Sequence, residues 1–283
     1  MPTELVITGS GTPVPSATRA GPSALVKRGD LALLFDAGRS TVQRLAGAGL
    51  WPTGLTAVLL THHHSDHLTG LPDLVLTHWV MDRGTDRPPL TVVAPEGPTC
   101  RFVDGMLDNW RGDIEVRMAH TGRTRAPGVD LRPFAVGDHP EQVWVEGDVR
   151  VLAGAVHHEP VTPAVGYRIE TPDGVIAISG DTIVCDEVAE LAAGADVLVY
   201  EALRFECFDG MPPTRTFILD YHADTRLIGT QARDLGVGTL VLTHLIPEPE
   251  GPDDVRAYVD DIRGGGFEGE LIVAEDLDRV TLG

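Results

Sequence analysis

The 283-residue chain has only three cysteines, a single lysine and no apolar run of the 18 or so residues that a membrane span needs. Cys100, Cys185 and Cys207 stand far apart and without Cys-x-x-Cys spacing, which excludes a disulfide framework and a thiolate zinc site and leaves them as small core residues. Lys27 is the one lysine, and the arginines are scattered singly or in pairs such as Arg123 and Arg125. The basic stripe by which proteins usually displace counterions from a polyanion is missing. Residues 1–9 carry neither a basic segment nor a long apolar one, and nothing in the chain is repetitive, so a cytoplasmic protein without membrane association is expected.

What is present in excess is acid, with 42 Asp and Glu against 22 Lys and Arg and a net charge of −20. That balance argues against nucleic acid as a partner. A small anion is a different case. Divalent cations held by residues such as Asp66 and Asp181 would leave a local excess of positive charge, while carboxylates beyond a Debye length of roughly 8 Å are screened.

A hydrophobic content of 42% supports a sizeable core. Apolar strands bounded by Gly, Pro or Asp are expected at 5–8, 31–35, 57–60, 90–93, 149–153, 175–178, 197–200, 240–242 and 271–273. Helical patterns fall between them, at 41–48, 68–80, 186–193, 224–235 and 253–263. Alternation of this kind builds sheets covered by helices, an α/β fold. No Pro-rich linker divides the chain, so residues 1–283 read as one domain made of two β-rich halves that meet near residue 150.

Six residues carry most of the chemistry: His62-His63-His64-Ser65-Asp66-His67, behind the buried strand Thr56-Ala57-Val58-Leu59-Leu60 and ahead of a helical pattern. On such a turn His62 and His64 can point one way while Asp66 and His67 converge from another, and His63 faces away. One loop can then serve two cations about 3.5–4 Å apart. Packing gains nothing from crowding imidazoles whose lone pairs need partners, so the run is read as metal-binding. Other potential ligands emerge at strand ends, at His157-His158, in Ser179-Gly180-Asp181-Thr182 and in Leu242-Thr243-His244. Thr61, Thr182 and Thr243 each neighbour one of them. The isolated His78, His120 and His139 read as surface or partly buried residues.

His62-x-His64-x-Asp66-His67, followed in order by His158, Asp181 and His244, resembles the metallo-β-lactamase superfamily over nearly the whole chain. Gly9-Ser10-Gly11-Thr12-Pro13, Gly166-Tyr167-Arg168 and Leu242-Thr243-His244-Leu245-Ile246-Pro247 resemble its ribonuclease Z and arylsulfatase-like branch. The resemblance implies a four-layer αββα sandwich with two divalent metal ions, usually zinc, with manganese or iron as alternatives. It puts His62, His64 and His158 on one metal and Asp66, His67 and His244 on the other, with Asp181 bridging. His158 is preferred to His157 because His158-Glu159-Pro160-Val161 fits the branch pattern His-x-Pro-Val. The resemblance also points to His222 as a proton donor supported by Glu201, with Asp66 as ligand, proton acceptor or both.

The reaction this implies is hydrolysis by a metal-bridging hydroxide, since coordination lowers the pKa of water from 15.7 to about 7. Enzymes of ribonuclease Z type usually carry a substrate-gripping arm after Gly-Tyr-Arg, but only Glu170-Thr171-Pro172-Asp173-Gly174 separates Ile169 from the next strand. With the acidic charge, this favours a small-molecule ester as substrate, a phosphodiester first. An arylsulfatase, lactonase or carboxylic esterase is the alternative. Ribonuclease Z activity or a non-catalytic metal-binding protein ranks below them, nucleic acid is not expected as a partner, and a homodimer is left open. The segments 205–217 and 81–89 are expected to shape the pocket.

Overall fold

Short apolar strands dominate the chain because most are buried on both faces, and they assemble into two seven-stranded sheets. The computed structural model describes residues 1–82 and 87–283. The first sheet takes β1 (Thr3–Gly9), β2 (Ser23–Arg28), β3 (Leu31–Phe35), β4 (Ala57–Leu59), β5 (Leu90–Pro95) and β6 (Val129–Phe134). The second takes β7 (Glu141–Glu146), β8 (Val149–Ala155), β9 (Val165–Thr171), β10 (Gly174–Ile178), β11 (Val197–Leu203), β12 (Thr239–Ile246) and β13 (Glu270–Val273). The last strand, β14 (Arg279–Leu282), returns to the first sheet beside β1. In each sheet an antiparallel half joins a parallel half: β3 to β6 run parallel in the first and β10 to β13 in the second.

Three apolar layers hold the sheets and helices together. Leu5, Ile7, Leu33, Phe35, Tyr167 and Ile169 fill the space between the sheets. Leu45, Leu71, Leu74 and Val75 cover the outer face of the first sheet from the helices Thr41–Gly47 and Leu71–Met81. Ile228, Ala232, Tyr258 and Ile262 cover the second from the helices Thr225–Leu235 and Pro252–Gly264. Each fully buried aliphatic side chain contributes about 1.5–3 kcal/mol, so these layers carry the fold. The order helix, sheet, sheet, helix is the expected αββα sandwich.

Parallel strands end at a common edge, and this places the site. The carboxyl ends of β4, β8, β10, β11 and β12 all meet there, one sheet facing the other. Tyr167 on β9 ties the sheets together at that edge: its ring lies 5.3 Å from that of Phe35, and its hydroxyl donates to the carbonyl of Leu60 at 2.6 Å.

Several local expectations needed revision. The helix expected across 68–80 is two, Ser65–Leu68 and Leu71–Met81. Gly70 lies between them, packed so closely on the chain that a Cβ there would sit 2.0 Å from the carbonyl oxygen of Gly38. The three cysteines are free and only partly buried, with Cys185 and Cys100 packed at the rims of apolar layers instead of inside them. Of the 81–89 segment expected near the pocket, residues 83–86 lie outside the described residues. No helix among the described residues is long and apolar enough to cross a membrane.

Candidate metal centre

The motif loop is organised by Asp36, a residue the sequence reading passed over. Asp36 follows β3 in a left-handed conformation, φ 58°, and its amide donates to the carbonyl of Leu59 at 2.9 Å. One carboxylate oxygen accepts from the Thr61 amide at 2.8 Å. The other accepts from the Thr61 hydroxyl at 2.8 Å and from Nδ1–H of His67 at 2.7 Å. Having donated to Asp36, the Thr61 hydroxyl accepts from Nδ1–H of His62 at 2.9 Å. One carboxylate thus clamps both ends of the motif and leaves Nε2 of His62 and of His67 facing inward. The sequence held a signal for it: an acidic residue directly after an apolar strand, the same pattern that singled out Asp181.

Local backbone devices aim the other side chains. His158 donates from Nδ1 to the carbonyl of Tyr221 at 2.9 Å and turns Nε2 to within 3.1 Å of Nδ1 of His64. His157 points outward, with its ring nitrogens 3.1 Å from Glu187 and 3.4 Å from Glu159. Asp181 follows Gly180, whose φ of 65° swings the chain over the end of β10. His244 is the extra residue of a bulge in β12: Glu201 pairs with Thr243 and Ala202 with Leu245, while His244, at φ 46°, is turned out of the sheet toward the cleft.

These devices converge on Asp181. Its Oδ2 lies 3.2 Å from His67, 3.3 Å from His244 and 3.9 Å from both His62 and His158. Asp66 Oδ2 stands 3.3 Å from Nε2 of His244 and 3.7 Å from that of His67. Two groups of donor atoms result, each within 4.8 Å and each able to hold a cation: His62, His64, His158 and Asp181, and Asp66, His67 and His244. A third combination, Asp181, His222 and His244, also meets that spacing. His63 is half-buried and belongs to none of them. His120 and His139 are exposed, and His78 is half-buried away from the site.

The electrostatics suit cations. Burial, helped by the neighbouring imidazoles, pushes the pKa of His62 well below its usual value and that of His64 down to about 4. Burial also lowers that of His158. Neutral rings are therefore the resting state of these three, whereas at His67 burial is outweighed by the Asp181 and Asp36 carboxylates, which hold its pKa well above the usual value, so a cation bound there displaces a proton. The carboxyls go the other way. Burial would raise Asp66 and Asp181, but the hydrogen bond from His244 to Asp66, and the His244 and His67 charges beside Asp181, hold both below the usual range and ionised. Nε2 of His62 is fully buried and has no hydrogen-bond partner, a cost of about 1–3 kcal/mol unless an electron-pair acceptor meets it. A divalent cation fits that requirement and this donor set.

Beside the clusters lies a second unit. Glu201 Oε1, wholly buried, accepts from Nδ1–H of His222 at 2.8 Å, from the Thr182 amide at 3.1 Å and from the Ala223 amide at 3.2 Å. Burial would lower the His222 pKa, but the Glu201 carboxylate outweighs it and the net displacement is upward. The same turn holds His158 through the Tyr221 carbonyl, so one loop serves both units. Of the three threonines, Thr61 supports the site directly. The Thr182 hydroxyl bonds the His157 amide and the Ile183 carbonyl, and Thr243 lines a cavity of about 40 Å³ behind the cluster.

Known proteins share this architecture. The family described as the beta-lactamase superfamily domain matches residues 32–245. A ribonuclease Z from Mycobacterium bovis is 38% identical over 99% of this chain and 98% of its own length. Among solved structures, the metallo-beta-lactamase fold protein YhfI from Bacillus subtilis aligns with a TM-score of 0.76 at 20% identity, over 99% of this chain and 100% of its own. The short form of human tRNase Z aligns with a TM-score of 0.70 at 20% identity, over 99% of each chain.

These relatives correct the expected substrate. A small-molecule ester with nucleic acid set aside is overturned by full-length relatives that bear the name ribonuclease Z. Both grounds for that expectation fail physically. The β9–β10 turn is indeed short, but the alignment covers almost all of the relative too, so an arm there is no requirement of that name. Net charge is a sum over the whole surface, whereas a phosphate in the cleft feels charges within about one Debye length. With the family match over most of its length and relatives of this identity, the chain belongs to the β-lactamase superfamily and is one of its metal-dependent hydrolases.

Proposed function

We propose that this protein is a ribonuclease that hydrolyses a phosphodiester bond of RNA, with precursor tRNA as the first substrate to test. In this reading His62, His64 and His158 would hold one divalent cation and Asp66, His67 and His244 the other, with Asp181 available to both. All seven side chains come from one chain, so no second subunit is needed. Bound there, the cations would lower the pKa of water to about 7 and offset the charge that builds on a phosphoryl oxygen. Zinc suits the His-rich donor set best, and a cytoplasmic location belongs to the same reading.

The protein's own groups do the rest. His222, kept protonated by Glu201, donates a proton to the departing ribose oxygen, and Glu201 is its positioning residue. Asp66, held ionised beside His244, is placed to take a proton from the attacking water. Asp36 and Thr61 keep the His62 and His67 rings oriented.

The observation that carries the proposal is the position of Asp181 Oδ2 within 3.9 Å of four imidazoles, with the His222–Glu201 pair alongside, in a chain whose full-length relatives are named ribonuclease Z. The test is cleavage of precursor tRNA by zinc- or manganese-loaded protein, with metal content measured on the same sample. Cleavage should vanish on chelation and in Asp181→Ala. Two metals per chain without RNA cleavage, or full activity in D181A, would sink it.

A further inference from the structure

A file of rings leads out of the metal centre to the surface. His158 and His222 lie 5.2 Å apart between centroids, and the ring of Tyr221 stands 5.1 Å from the first and 4.8 Å from the second. Phe217 continues the file, 6.1 Å from Tyr221 and tilted by 42°. It is 53% exposed. An isolated exposed phenylalanine is ordinary. One that ends a row of rings descending to the clustered imidazoles is placed for a flat ligand whose neighbouring group reaches the metal site.

Charge points the same way. Two residues before Phe217, on the short helix Pro213–Thr216, Arg215 is exposed and has no hydrogen-bond or ion-pair partner for its guanidinium among the described residues. Most of the other described arginines are tied to carboxylates or backbone carbonyls. In a chain of net charge −20, an unneutralised guanidinium on a long side chain two residues from an exposed ring offers the two contacts a nucleotide needs: base on the ring, phosphate on the arginine.

We propose that Phe217 and Tyr221 form a stacking platform for the base of a nucleotide flanking the scissile phosphate, with Arg215 taking the adjacent phosphate. This rests on the RNA-cleaving reading above. It assigns a substrate-gripping role to the segment 213–221, which the short β9–β10 turn leaves open.

The test uses the metal-loaded full-length protein and four short RNA substrates with one cleavage point: intact, abasic on the 5′ side, abasic on the 3′ side, and a form blocked at the scissile linkage for binding. Phe217→Ala should lose about 5- to 100-fold in kcat/KM on intact RNA, mostly through KM, with a parallel loss of binding to the blocked form. Phe217→Trp should restore both. One abasic substrate should show the same loss with wild-type protein, and F217A should cost nothing further on it. Arg215→Ala should flatten the salt dependence of binding by about 0.7 in log–log slope. Equal losses for F217A on intact and both abasic substrates, or no rescue by F217W in a protein of unchanged melting temperature, would refute the platform while leaving the RNA-cleaving reading standing. Failure of the wild type to cleave or bind any of the RNAs would overturn that reading and the platform with it.

Discussion

Glu201→Gln tests the proton donor by removing a charge while keeping a shape. The Gln carbonyl can still accept from Nδ1–H of His222 and from the amides of Thr182 and Ala223, so the loop keeps its geometry. What is lost is the carboxylate that holds the His222 pKa up against burial. A hydrogen bond to a charged partner is worth about 1.5–3 kcal/mol, which corresponds to roughly 1–2 pH units at 1.36 kcal/mol per unit. With burial then opposed only by the Asp181 carboxylate, the His222 pKa in E201Q should fall. The sign follows from the role: an acid works only while protonated, so activity is lost as pH rises through the folded pKa. The basic limb of the pH profile should therefore move about 1–2 units toward acid in E201Q, and RNA cleavage at pH 8 should drop about 10- to 100-fold. A p-nitrophenyl diester, whose leaving group departs without a proton, should be affected far less. Profiles of kcat/KM on both substrates decide the matter. An unmoved basic limb, or the same loss on both, would refute the role of the pair.

Other substitutions test the support of the site. Asp36→Asn removes the charge that receives Thr61 and His67 and should weaken metal binding about 10- to 100-fold, measured by competition with a chelating dye; unchanged affinity would show that the clamp does not orient the rings. Gly70→Ala sets a small gain from a less disordered unfolded chain, about 0.4–1 kcal/mol, against a Cβ forced 2.0 Å from the Gly38 carbonyl oxygen. The clash should win by more than about 2 kcal/mol in denaturant unfolding, and a stabilised variant would show that the Gly38–Gly70 contact is looser than described. Loading with zinc should raise the melting temperature, with about 4 kcal/mol of added stability at a thousandfold excess over the dissociation constant; no shift would argue against a metal linked to folding.

The strands visible in the sequence were those carrying a short apolar run. All nine expected runs fall on observed strands, most of them buried, although β13 is an edge strand with no buried residue and is marked only by Leu271-Ile272-Val273. The five missed were of another kind. β6, β7 and β14 are edge strands with alternating or short patterns, β2 ends in Lys27-Arg28, and β9 alternates through Arg168 and Glu170. The helix Arg111–Thr121 has no buried residue, so it offers no apolar period to find. At the site, the clustered residues were legible because ligand-type side chains stood at strand ends. Asp36 stands at a strand end too, but its role is not written there, since it lies in accepting hydrogen bonds from residues 25 and 31 positions away. The small-ester expectation fails because total charge and the length of one turn do not report on the field inside a local cleft.

The clustered side chains are drawn from both halves of the chain, and that has a consequence for how the protein is made. His62, His64, Asp66 and His67 are synthesised early, yet Asp181 and His244 follow more than a hundred residues later. At about 5–20 residues per second, roughly 10–40 s separate the first imidazole from the last. Throughout that interval the nascent chain displays half a chelating site with no complete opposing sheet to enclose it, and β14, the strand that completes the first sheet, emerges later still. The full donor set therefore exists only once the second sheet has folded, and until then the early side chains stand open to whatever cation the surroundings offer.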